Sequence, residues 1–213
     1  EIFNACWPMY AATPAVLKDA IERSYQKVGW DLRNSESEKG VFPTFFDLLD
    51  ILPGVIEESH YSKDTQSDYV GALCTRVKSL TNGIYGSVLC AEDALSDAEM
   101  FDQNVIVDLS RVGSMETKSL LMGILVMKLQ EYRMCSSGMN SRLRHVTVLE
   151  EAHNLLRKTS AEQSQEGANL QGKSVEMLAN AIAEMRTYGE GFIIADQAPG
   201  LLDMSVIRNT NTK

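Results

Sequence analysis

The stretch His145-Val-Thr-Val-Leu-Glu-Glu-Ala-His-Asn-Leu-Leu156 decides how this chain is read. Val146 to Leu149 are apolar or β-branched, the composition of a strand buried on both faces of a parallel sheet. Glu150 and Glu151 follow where that strand ends. In open α/β sheets ligands gather at the carboxyl ends of strands, so acids placed there face a site. Neighbouring residues leaving a strand point in different directions. One carboxylate can therefore hold a hydrated Mg²⁺ while the other orients or deprotonates a water. The same residues also suit a plain strand followed by a helix whose first turn carries Glu to complement the helix dipole.

Downstream the texture supports a layered α/β fold. Asn104–Leu109 is expected to form a compact buried strand and Thr117–Tyr132 a long helix. Arg144–Leu149 is then the central strand, with a short helix to Leu156. Arg157–Gly172 is polar and without apolar periodicity, which predicts a mobile loop. Val175, Leu178, Ala179, Ile182 and Met185 define a further helix, stopped by Gly189 and Gly191. Phe192–Ala195 is a third strand, with Asp196-Gln197 at its end. Strand and helix alternating in this way signify a parallel sheet with crossover helices.

Upstream there is no such alternation. Ile2–Ala12 is apolar and aromatic, expected to be helical and broken by Pro8 and Pro14. Val16, Leu17, Ala20, Ile21, Ser24, Tyr25 and Val28 form a helical stripe, and Gly29 with the polar run Asn34–Gly40 a loop. Phe42–Leu52 reads as a helix closed by Pro53-Gly54, and Asp64–Leu80 as another, ended by Asn82-Gly83. Residues 1–100 are thus expected to form an all-helical subdomain, and 101–213 an α/β core. Charge divides along the same line: 16 acidic and 8 basic residues in 1–100, against 13 and 12 in 101–213.

The 213 residues carry a net charge of −9, so no basic surface advertises nucleic-acid binding. Cys6, Cys74, Cys90 and Cys135 are widely spaced, with no metal-binding pattern, as in reduced cytosolic proteins. No apolar run is long enough for a membrane span, and no basic-then-apolar leader is seen, so no membrane partner and a cytoplasmic location are expected. The chain has no initiating Met and stops without a capping signal, as an internal piece of a longer protein would.

Several motifs have a functional and a bland reading. Gly167-Ala-Asn-Leu-Gln-Gly172-Lys173-Ser174 satisfies the phosphate-loop pattern G-x-x-x-x-G-K-[ST]. A phosphate loop needs a buried strand delivering a Gly-rich turn into a helix, and residues 157–166 are the least strand-like of the second half. The match is therefore taken as coincidence in a loop. The amide of Gln197 can bond a γ-phosphate or an attacking water, or it is a solvated strand end. Arg186 can reach a phosphate across a subunit boundary as an arginine finger, or it complements a helix C-terminus. Asp108 is read as structural or supporting. His153 has Glu-x-x-His spacing from Glu150, but with no second such motif it is given a packing or capping role.

Taken together, Leu149-Glu-Glu-Ala-His153, Ala183-Glu-Met-Arg-Thr-Tyr-Gly189, Gly191-Phe-Ile-Ile-Ala-Asp-Gln197 and Asn209-Thr-Asn-Thr212 resemble the HerA/FtsK-like ATPases, in particular the HerA branch of DNA translocases. Phe3-Asn-Ala-Cys-Trp-Pro-Met-Tyr10, Leu17 through Tyr25 and Gly29-Trp-Asp-Leu32 are similar to the helical insertion of that branch. The resemblance implies a RecA-like parallel sheet, incomplete in this chain, with a helical insertion. It implies a P-loop motor, a homo-oligomeric hexameric ring hydrolysing ATP with Mg²⁺ to move double-stranded DNA. Glu150 then becomes the Walker B acid on the Mg²⁺ side, Glu151 the catalytic base, Gln197 a sensor and Arg186 a trans-acting arginine. The family's phosphate loop belongs to an earlier strand ahead of the insertion, and its final strands would follow Lys213. The expectation is thus an internal fragment of the motor, inactive alone. One alternative is a non-catalytic helical and α/β interaction module recruiting a nuclease or effector; another is a permuted P-loop nucleotidase using Lys173.

Overall fold

The computed structural model describes residues 2–7, 9, 12–91, 94–158 and 165–210. The chain divides into two compact units, Tyr10–Ala94 and Glu1–Met9 together with Leu95–Lys213. Helix α1 (Ile2–Cys6), which the sequence reading grouped with the first hundred residues, belongs to the second of these. Pro8 and Tyr10, like Asn211-Thr212 at the far end, lie outside the described residues.

In Tyr10–Ala94 helices are set by caps and apolar spacing. Pro14 lies in the first turn of α2 (Thr13–Lys27), where its missing N–H costs nothing, so it starts this helix. Val16, Leu17, Ala20 and Ser24 form the buried face. A two-residue antiparallel ladder, β1 (Trp30–Asp31) with β2 (Glu36–Ser37), interrupts the expected loop. Asp31 ties its turn by accepting from Arg33 N at 2.9 Å and Asn34 Nδ2 at 2.8 Å. The Trp30 indole donates to Val41 O at 2.6 Å.

Thr44 and Asp47 form a capping box at the start of α3 (Phe45–Glu58). This helix runs through Pro53, where the sequence reading ended it. An interior proline costs about 3 kcal/mol. Val55 and Ile56, beyond it, are fully buried, and each such burial contributes roughly 1.5–3 kcal/mol, so continuation wins. The stripe Gln66, Tyr69, Leu73, Val77 and Leu80 is buried along α4 (Lys63–Tyr69), a π-helical turn at Val70–Cys74, and α5 (Thr75–Thr81). Asn82 is extended and ends this run as expected, and α6 (Gly83–Leu89) follows.

The other unit carries the sheet. After α7 (Asp97–Phe101), Asn104–Leu109 is not a strand, against expectation. It has no ladder partner among the described residues, and Val105, Ile106 and Val107 are 43%, 94% and 47% exposed. An apolar run becomes a strand only where a neighbour pairs its N–H and C=O groups. Helix α8 (Met115–Ser136), capped by Ser114, buries Leu120, Met122, Val126 and Leu129. Strand β3 (His145–Glu150) pairs in parallel with β4 (Glu190–Ala195), Val148 opposite Ile193 and Glu150 opposite Ala195.

The crossover is α9 (Gln165–Glu184) with a 3₁₀ turn at Met185–Tyr188. Helix α9 starts ten residues before the expected Val175, so the predicted loop over Arg157–Gly172 is helical from Gln165; residues 159–164 lie outside the described residues. Asp203 caps α10 (Met204–Asn209). The architecture is thus mixed α/β with a two-stranded parallel sheet. Among the described residues no helix is long and apolar enough to cross a membrane.

Strand β3 is not buried on both faces. Residues paired across a parallel ladder share a face. Val146, Val148 and Ile193 on one face are 41%, 54% and 54% exposed, while Leu149 on the other is buried. That covered face also holds Glu190, wholly buried and bonded at 2.8 Å by Arg133 Nε and at 2.7 Å by Thr147 Oγ1. Arg133 reaches on to Asp102 at 2.6 Å. Gly189 turns the chain into β4 at φ +84, and a Cβ there would stand 2.5 Å from Arg142 O.

Candidate functional site

The ladder register fixes which predicted residues meet. Because β3 and β4 are adjacent, parallel and in step, Glu150, Glu151, Asp196 and Gln197 all emerge at the same, carboxyl end of the sheet. Glu150 and Gln197 are exposed there. Glu151 leaves the strand with φ 53 and ψ 41, a left-handed conformation for a residue with a Cβ. Such a conformation costs on the order of 1–3 kcal/mol and ends the extended run of the strand at this residue. Arg186 is not with them. It lies exposed in the 3₁₀ turn before β4, at the amino end of the sheet, a strand length of roughly 20 Å away.

The residues that organise this end are Asp196 and His153. The Asp196 side chain is 2% exposed, and its oxygens accept from Ala198 N at 2.7 Å and His153 N at 2.8 Å. His153 Nδ1 stands 2.9 Å from the same carboxylate. Burial by itself raises the Asp196 pKa; the Ala198 and His153 N–H groups and the imidazole outweigh it and hold the carboxyl below its usual range. An ionised carboxylate only accepts, so Nδ1 carries the ring proton. Nε2 then faces Glu151, 3.7 Å from Oε2. The packing or capping role expected of His153 thus becomes a bridge between two loops.

The 3₁₀ turn Ala152–Asn154 makes that bridge possible, replacing the expected short helix. Ala152, Leu155 and Leu156 are buried beneath it, and Ser119 Oγ of α8 donates to Asn154 O. Lys158 N to Leu201 O and Asp203 N to Leu156 O, both 2.9 Å, tie the post-β3 and post-β4 segments further along. Sequence reasoning passed over Asp196. A carboxylate immediately after a strand, opposite a His three residues beyond the neighbouring strand's end, was the available signal.

Two other motifs resolve plainly. Gly167–Ser174 lies within α9, so it is a helical run and not the Gly-rich turn between a strand and a helix that rings a phosphate. That favours coincidence over the permuted-nucleotidase reading of Lys173. Asp108 accepts from Ser110 N at 2.8 Å, a local turn as expected of a structural residue.

Comparison with known proteins finds no matching family model, no matching curated protein and no matching solved structure.

Among the described residues no group of three or more His, Cys, Asp or Glu side chains could hold a metal ion. A hydrated Mg²⁺ needs less, because it keeps several waters and takes one or two carboxylates together with substrate phosphates. An exposed Glu150 at a strand end fits that demand. The described residues supply acids and an amide at this end, and no Gly-rich turn to ring a phosphate.

Proposed function

We propose that this chain is part of an ATP-hydrolysing, ring-forming DNA translocase of the HerA type, built on a RecA-like sheet and working in the cytoplasm. The observation that carries the reading is the β3–β4 register, which delivers two acids and an amide to one strand-end. The resemblance of the ordered motifs to the HerA branch supplies the chemistry. When bound, Mg²⁺-ATP supplies the phosphoryl group that is transferred to water and the charge neutralisation this requires.

The chain's own residues divide the remaining work. Glu150 holds the water shell on the metal side. Glu151, left-handed at the strand's end, orients the attacking water and takes its proton. Gln197, on the neighbouring loop, senses the group that leaves. Arg186, a strand length away from these, serves the site of an adjacent subunit in a homohexamer. The phosphate-binding loop is assigned to the longer protein. Double-stranded DNA is gripped by other parts of the ring, since residues 1–100 carry 16 acidic and 8 basic residues.

The deciding experiment is Glu151→Gln in the full-length protein. Nucleotide affinity should hold while turnover drops by at least about a hundredfold, as for loss of a general base. Wild-type turnover in that variant removes the assignment. Tight duplex binding by residues 1–213 alone would contradict the placing of the DNA contacts.

A further inference from the structure

His153 is held on one side and open on the other. Its main-chain N–H and Nδ1 both address the buried Asp196 carboxylate, at 2.8 and 2.9 Å, so the imidazole cannot rotate without breaking the bond. The ring edge that remains, Nε2, stands 3.7 Å from Glu151 Oε2 as a bare lone pair, so it fends the carboxylate off rather than bonding it. The Glu151 side chain is 49% exposed, and among the described residues His153 is the one group placed against its carboxylate. Asp196 in turn is fixed by Ala198 N at 2.7 Å. An imidazole held by its Nδ1 thus stands between a buried anchor and an exposed acid.

We propose that His153 is a positioning residue for Glu151, limiting the arc of its carboxylate to the face that meets water, with Asp196 as the anchor. The proposal rests on the reading of Glu151 as the base. It gives Asp196 a part that does not involve touching substrate. It also couples the loop after β3 to the loop carrying Gln197, so the two move as one piece.

The test separates the two nitrogens. In His153→Asn the amide nitrogen stands where Nδ1 was, which preserves the Asp196 contact and removes the atom facing Glu151. In His153→Gln the amide oxygen can stand near the Nε2 position and present to Glu151 a lone pair, as Nε2 does. In the full-length protein, His153→Asn should melt as the wild type does and bind ATP equally well, while kcat falls roughly ten- to a hundredfold. His153→Gln should recover part of that loss. The carboxylate ¹³C resonance of Glu151 in nucleotide-free protein should shift in His153→Asn.

Wild-type kcat together with an unmoved Glu151 resonance in His153→Asn overturns the proposal. So does a loss of kcat that follows a lowered melting temperature or weakened ATP binding. Wild-type turnover in Glu151→Gln would instead sink the base assignment, and the Glu151 resonance would still decide whether His153 holds that side chain.

Discussion

The Asp196 carboxylate accepts the main-chain N–H of His153 at 2.8 Å across 43 residues of chain, joining the loops that leave two neighbouring strands. A side chain of 2% exposure with its acceptors filled from both loops is a fastening whose strength depends on charge.

Replacing Asp196 by Asn therefore has a stated sign. One amide oxygen still accepts, while the NH₂ faces an N–H, so a buried donor is left unmet at about 1–3 kcal/mol. Because the Asp196 pKa is held down in the folded chain, its contribution is present above the unfolded value of about 3.9 and is lost as pH falls through the lower folded value. Urea unfolding as a function of pH should show the wild type losing stability on acidification below about pH 4, with a shallower slope in Asp196→Asn.

Arg133→Met takes the guanidinium from the buried Glu190 carboxylate and leaves it the Thr147 hydroxyl and the His145 imidazole, both on Oε1. The loss should reach at most about 3–5 kcal/mol, the range for breaking a buried ion pair, because Oε2 loses the Arg133 bond while Oε1 keeps two partners. Denaturant midpoints should recover a large part of that loss in the double variant Arg133→Met, Glu190→Gln. Equal midpoints for the single and double variants would show that Glu190 does not depend on Arg133.

At Gly189 two constraints coincide, φ +84 and an approach of 2.5 Å between a Cβ and Arg142 O. Gly189→Ala should destabilise by more than about 1 kcal/mol and loosen the amino end of the ladder, where Gly189 O accepts from Arg144 N at 2.8 Å. Hydrogen exchange at Arg144 and His145 is the readout, and unchanged protection would refute it.

Lys173→Ala should leave nucleotide binding and turnover of the full-length protein within twofold of wild type, a difference of about 0.4 kcal/mol. Lys173 is exposed on a helix already formed by residue 165. Loss of nucleotide affinity in that variant would reinstate Gly167–Ser174 as a phosphate loop.

Local pattern reached some of this fold and missed the rest for identifiable reasons. Helix α8 and both parallel strands stand where periodicity and apolar runs put them, because each segment's own composition decides its state. Asn104–Leu109 has an equally strand-like composition, yet pairing is a property of two segments and only one was read. At Pro53 the burial of Val55 and Ile56, not propensity, settles that the helix continues. The acids and the amide at the strand-end were visible as residue types. Their fastener was not, since the contact between Asp196 and His153 depends on a register that no single stretch contains.

The bare side of the β3–β4 ladder has a consequence for the chain in solution. Val146, Val148 and Ile193 offer water a contiguous oily strip, and a net charge of −9 keeps copies apart by repulsion. At 0.1 M salt that repulsion is felt over only about 10 Å. Light scattering from the isolated chain should therefore climb with added salt, and Val148→Lys should flatten the climb. The concentration at which the chain stays monodisperse is set as much by the buffer as by the fold.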